Sequence, residues 1–144
     1  MSEGWTEITA AWKGEMTFVG QNSAGGSVQM GGLNNKPGIN PMQLLLVALA
    51  GCTGMDVLSI LQKKRLKLTD LQVRVRGLRS NDYPMVWTDI EVIYYLWGEK
   101  LETKDVEQAI RLSENKYCSV RAMLDKTTKF ISTYQINPPG EKAV

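Results

Sequence analysis

The residues best suited to chemistry in this chain are its two cysteines, 66 positions apart in unlike settings. Cys52 lies inside "LLLVALAGCTGMDVLSIL" (44–61), among the most apolar runs, with Gly51 before it and Gly54 after it. Cys118 lies in "ENKYCSVRAML" (114–124), where a helix should begin. A thiolate is both nucleophile and metal ligand, so reactivity follows the thiol's pKa. Free amides at a helix start would favour the Cys118 thiolate. Desolvation in an apolar helix would disfavour that of Cys52, and Asp56, one turn later, would add to this if it faces the same way. On the residues alone, two unrelated core cysteines are the plainer reading, because free cysteine packs as a small hydrophobe. A paired redox role stays open beside it.

Other chemistries are narrowed by what is missing. Histidine is absent, which removes Ser-His and Cys-His catalysis and every histidine metal site. Two cysteines alone do not make a structural zinc site, so no metal and no cofactor are expected. A net charge of +2 is too small to argue for nucleic acid, and no basic stripe is interleaved with aromatics. "QKKRLK" (62–67) reads as a solvated helix C-terminus favoured by the dipole. The N-terminus shows no basic head and apolar core of a secretory signal, and the apolar run 44–52 is shorter than a bilayer span. The expectation is a cytoplasmic protein without membrane contact, its thiols kept reduced.

The elements that must position the thiols fit one domain over residues 1–144, with 43% hydrophobic and 22% charged residues, ordinary values for a soluble globular chain. Residues 1–32 read as strands, at "WTEITAAW" (5–12), "EMTFVG" (15–20) and "SVQMGG" (27–32). "LNNKPGINP" (33–41) is a turn-rich linker. Asn40 as N-cap and Pro41 at the first helical position start a central helix, 40–64. From Leu44 to Cys52 that helix is apolar on every face, which predicts enclosure by other elements. Gly51 and Gly54 predict a close backbone approach beside Cys52.

"LQVRVRG" (71–77) and "VWTDIEVIYYLWG" (86–98) alternate as two half-buried strands, with Asp89 and Glu91 placed to pair with Arg74 and Arg76 across an antiparallel ladder. "TKDVEQAIRLSEN" (103–115) is a helix capped by Thr103, with an inner stripe of Val106, Ala109, Ile110 and Leu112. A second helix restarts over 116–127, and "KFISTYQI" (129–136) closes as a strand. Residues 71–136 thus run strand, strand, helix, helix, strand, and 137–144 form a tail. The class is α+β, without βαβ repetition.

"GINPMQLLLVALAGCTGMDVLSILQKKR" closely resembles the central-helix signature of the OsmC/Ohr family, the osmotically inducible and organic-hydroperoxide-resistance proteins. "ENKYCSVRAML" resembles that family's later helix with its second cysteine, and "YPMVWTDIEVIYYLWG" the strand between them. The similarity covers nearly the whole chain. It implies an OsmC-like fold of antiparallel strands around a long buried helix carrying the first cysteine. It also implies an intertwined homodimer with each site at the subunit interface. By the same resemblance Cys52 matches the peroxidatic cysteine and Cys118 the resolving one. The implied chemistry is thiol-dependent reduction of a small apolar hydroperoxide, through a sulfenic acid and an intramolecular disulfide, with an external dithiol as reductant. The pocket around the thiol is expected to be apolar.

The sequence departs from that pattern where the better-known members place an activating pair. Met42 stands where their helix glutamate would be, no acidic residue occurs between Glu15 and Asp56, and the first arginine is Arg65. Supporting candidates are Asp56, Arg121 and Lys36, each with a structural alternative: a helix hydrogen bond, an ion pair and a solvated loop charge. Lys13 is the other cation of the N-terminal half. Met42, Met55 and Met123 read as adaptable packing. Two further readings remain: a thiol enzyme acting on another electrophile or sulfur species, and a non-catalytic dimer binding an apolar ligand.

Overall fold

The computed structural model describes residues 4–31 and 38–140, which fall into two compact units, 1–45 and 46–144. The first holds an antiparallel meander of β1 (Ile8–Trp12), β2 (Phe18–Asn22) and β3 (Ser27–Met30). Trp12 faces Phe18 and Phe18 faces Met30 across it. Asn22 shapes the β2–β3 turn, its Oδ1 accepting from the amides of Ala24 and Gly26 at 3.0 and 2.8 Å.

Helix α1 (Pro41–Lys63) starts in this unit. Asn40 Oδ1 accepts from the Gln43 amide at 2.8 Å, and Gln43 Oε1 accepts from the Asn40 amide at 3.0 Å. This reciprocal capping box satisfies two donors that a helix start otherwise leaves orphaned. The far end closes with Arg65 at φ 61°. There the amides of Arg65 and Leu66 bond Gln62 O and Leu61 O at 2.9 and 3.0 Å, a Schellman closure in which arginine takes the usual glycine position.

The second unit is built on a sheet of order β4 (Leu68–Arg79), β5 (Trp87–Gly98), β6 (Lys129–Asn137). β4 and β5 pair antiparallel as expected, whereas β6 runs parallel to β5, so the sheet is mixed. The parallel pairing follows from the crossover: α2 (Thr103–Leu112), a π turn (Ser113–Tyr117) and α3 (Ser119–Leu124) carry the chain back to the end where β5 began. Ile90, Val92, Tyr94 and Leu96 form the buried row of β5, joined in the core by Val57, Leu61, Val106 and Ala109. Each such valine, leucine or isoleucine contributes about 1.5–3 kcal/mol by leaving water.

Arg76 lies opposite Glu91 and bonds it at 2.9 Å, one of the two pairings expected. Arg74 instead faces Ile93, its guanidinium 5.4 Å from the Tyr95 ring centre. The cap of α2 is Glu102 rather than Thr103, without a side-chain capping bond.

Two expectations about α1 are not met within one chain, and a third, on the length of its apolar run, needs correcting. Within one chain its buried residues are one stripe, Leu49, Thr53, Val57 and Leu61, while Val47 and Met55 are 49% and 74% exposed. Spacing of four keeps only one face on the sheet. Within the chain no other backbone comes close to the glycines: a Cβ at Gly51 would meet nothing within 4 Å, and one at Gly54 would meet the Val73 side chain at an ordinary 3.4 Å. Finally, α1 has 23 residues with an 18-residue window of mean hydropathy 2.1, long and apolar enough by length and composition to cross a bilayer. Core helices of soluble proteins pass the same test.

Candidate active site

Cys52, Thr53 and Asp56 leave α1 within about one turn, so Cys52 and Asp56, four apart, share a face. Thr53 belongs to the buried stripe. Facing them is the end of the α2 segment. There the chain inserts a π turn, closed by the Cys118 amide donating to Ser113 O at 2.7 Å. Such turns add a residue to the helical register and re-aim the chain beyond them. Cys118 comes out extended, at φ −76° and ψ 99°, as N-cap of α3, its Sγ accepting from the Arg121 amide at 3.4 Å.

The result is a cluster in which the ligand-type atoms of Cys52, Cys118 and Asp56 all lie within 4.8 Å of one another. Cys52 is half-buried and Cys118 buried. The helix start does not leave Cys118 as a thiolate: burial first, then the neighbouring Cys52 and Asp56 side chains, push its thiol up to about 11, outweighing the Arg121 amide.

Asp56 is steered by a chain of hydroxyls. Ser113 Oγ donates to Asp56 Oδ2 at 2.9 Å, Thr53 Oγ1 lies 2.8 Å from Ser113 Oγ, and Tyr94 OH lies 2.8 Å from Thr53 Oγ1. Tyr94 then donates to Glu114 Oε2 at 2.8 Å, as Ser132 does at 2.6 Å. Arg121 Nη1 sits 3.3 Å from Glu114 Oε1, the side chains only 19% and 13% exposed. Its guanidinium lies 4.1 Å from the Phe130 ring centre. Burial raises the Tyr94 hydroxyl's pKa well above its ordinary value, which keeps it a donor. Buried polar groups stay in place only when so partnered.

Of the residues singled out from the sequence, the structure brings together Cys52, Cys118 and Asp56. Arg121 reaches the cluster through its backbone amide, while its side chain forms the ion pair with Glu114. Lys36 lies outside the described residues, and Met42 and Lys13 belong to the first unit. Sequence reasoning missed Thr53, Tyr94, Ser113, Glu114 and Ser132. Ser113 carried a signal: it continues the inner stripe of Val106 and Ile110, where a hydroxyl needs a partner. Tyr94, on the buried row of β5, carried the same one.

Two openings border the cluster's elements. A cleft of about 400 Å³ reaches Asp56, with Ser59, Leu112 and Tyr117 on its walls. An apolar groove of about 590 Å³ runs between α1 and β4 past Val47, Gly51, Gly54, Met55 and Val73. Neither of these two is walled by the sulfurs, and the apolar one passes Gly51, next to Cys52.

The family model described as OsmC-like protein matches residues 32–133. Protein YhfA of Escherichia coli (strain K12) is 34% identical over 125 residues, covering 87% of this chain and 93% of YhfA. The crystal structure of a hypothetical protein from Aquifex aeolicus VF5 superposes with a TM-score of 0.83 at 36% identity, over 93% of this chain and 97% of that one. An organic hydroperoxide resistance protein from Elizabethkingia anophelis shares the fold alone, with a TM-score of 0.70 at 13% identity over 94% and 99% of the two chains. An α+β chain that matches the family model over its central helix, both cysteines and most of the sheet is a member of the OsmC-like family, in a divergent branch of it.

Proposed function

We propose that this protein is a thiol-dependent peroxidase for small apolar hydroperoxides, with Cys52 as nucleophile and Cys118 as resolving thiol. The observation that carries the reading is the placement of both sulfurs and a carboxylate oxygen within 4.8 Å of one another, on elements otherwise separated by the β4–β5 hairpin and α2. The Cys52 thiolate attacks the O–O bond, forming the sulfenic acid and, with one proton, the alcohol. Cys118 then displaces water from that sulfenic acid to give the disulfide, which an external dithiol reduces. A thiol held up to about 11 arrives protonated, supplying the proton that leaves with the water. No arginine side chain is seen on the thiols: Arg121 is paired to Glu114, so the usual activating pair has no counterpart there among the described residues.

The same reading makes the protein a cytoplasmic homodimer, the second copy covering the exposed apolar face of α1. The test is turnover of cumene hydroperoxide with a dithiol. Cys52→Ser abolishes it, and Cys118→Ser keeps the first oxidation but accumulates sulfenic acid, detected by dimedone and mass spectrometry. Wild-type rates in Cys52→Ser would end the proposal. The apolar groove along α1 favours one second reading, a binder of an apolar ligand. In that case a bound ligand persists after both cysteines are replaced.

A further inference from the structure

We infer that the reduced cluster is a divalent metal site of zinc type, with Cys52 Sγ, Cys118 Sγ and an Asp56 carboxylate oxygen as its ligands. The sequence argued against a metal because two cysteines are too few and histidine is absent. The fold supplies the third donor from one turn along α1, and all three donor atoms lie within 4.8 Å of one another. A tetrahedral zinc with Zn–S of about 2.3 Å and Zn–O of about 2.1 Å spaces its ligand atoms about 3.6–3.8 Å apart, which that envelope admits. Three protein ligands leave a fourth position for water, as in zinc sites that stay open. Two thiolates and one carboxylate suit a borderline-soft ion better than magnesium or calcium.

The surroundings are those of a built ligand set. Ser113 donates to Asp56 Oδ2 at 2.9 Å, and a carboxylate's remaining lone pairs stay free for an ion. Ser113 is itself fully buried and bonded to Thr53 at 2.8 Å, so the carboxylate is held from behind, the usual role of partners behind metal ligands. On the sulfur side the Arg121 amide points at Cys118 Sγ from 3.4 Å, a donor that favours a thiolate. The cleft of about 400 Å³ that ends at Asp56 gives an ion a way in. Each thiol gives up its proton to solvent as it ligates. The site stands whether or not the same thiols turn over hydroperoxides.

The experiment is titration of reduced, chelator-stripped, full-length protein with ZnCl2 by calorimetry, and with CoCl2 by absorption spectroscopy. One ion per chain is expected, with a thiolate-to-cobalt charge-transfer band and the strong visible bands of a tetrahedral ion. Cys118→Ser weakens that band, and Asp56→Asn lowers the zinc affinity about tenfold or more while both sulfurs remain. Circular dichroism shows that Asp56→Asn is folded, and oxidised wild-type protein, folded with its sulfurs joined, binds no ion. Cobalt bound without charge transfer, or Asp56→Asn titrating like wild type, overturns the assignment.

Discussion

Burial, the Cys52 thiol and the Asp56 carboxylate act together on Cys118, and the Arg121 amide alone opposes them. The helix start expected at Cys118 exists, but α3 spans only six residues, Ser119–Leu124. So short a helix offers little more than one amide against the desolvation of a buried sulfur. The sign for stability comes from the direction of the shift. A thiol whose pKa rises from 9.0 unfolded to about 11 folded contributes stability that is fully present below pH 9 and lost as pH climbs through about 11. Tyr94 moves in the same sense at higher pH. Urea midpoints measured from about pH 8 to about pH 11 should therefore fall, and Cys118→Ser should flatten the earlier part of that fall. A wild-type curve with no slope there would contradict the placement of Cys118.

Elements were legible in the sequence wherever their signals are local. Asn40 and Pro41 fix the start of α1 because a capping box needs only the residues up to Gln43. β5 was placed at 86–98 and is found at Trp87–Gly98, since period-two burial is written into its own residues. The parallel pairing of β6 was not legible, because strand direction depends on the path of the crossover rather than on residues 129–137. The second helix expected from residue 116 begins later, after an interruption at Cys118, because a π turn over Ser113–Tyr117 prolongs the first one; that turn was hidden, since no residue type demands one. That turn aims Cys118 at α1. Deleting Asn115 removes one residue of register, about 100° of helical rotation, and should swing the sulfur off the cluster. Diamide would then no longer join Cys52 to Cys118 in a protein still folded by circular dichroism; an undiminished disulfide would show that the π turn is incidental.

At the scale of the molecule, the enclosure predicted for α1 is supplied by one chain on one stripe only. Val47 and Met55 stay exposed beside an apolar groove of about 590 Å³. Contiguous apolar surface of this kind marks an interaction site, and a second copy of the chain is the partner we propose for it. Val47→Asp with Met55→Glu should shift the protein from dimer to monomer in sedimentation at micromolar concentration. A wild-type monomer there, or an unshifted double variant, would remove α1 from any dimer interface. The candidate site itself was half legible. Its sulfurs and Asp56 stood in quoted motifs, but the buried hydroxyls behind them are spread over α1, β5 and the π turn, and only the fold assembles them.

The chain from Asp56 through Ser113, Thr53 and Tyr94 to Glu114 makes four oxygen–oxygen contacts of 2.8–2.9 Å. Three hydroxyls bring three hydrogens. With both end carboxylates ionised, Ser113 and Tyr94 spend theirs outward, and Thr53 can turn its single hydrogen toward one neighbour or the other, never both. The chain therefore has two orientations of equal count and one contact always short of a hydrogen. A proton arriving on Asp56 fills that gap and sets the direction of every hydroxyl. The state of Asp56 is thereby written into the Ser113 and Thr53 hydrogens, while the donation from Tyr94 to Glu114 stays the same in both states.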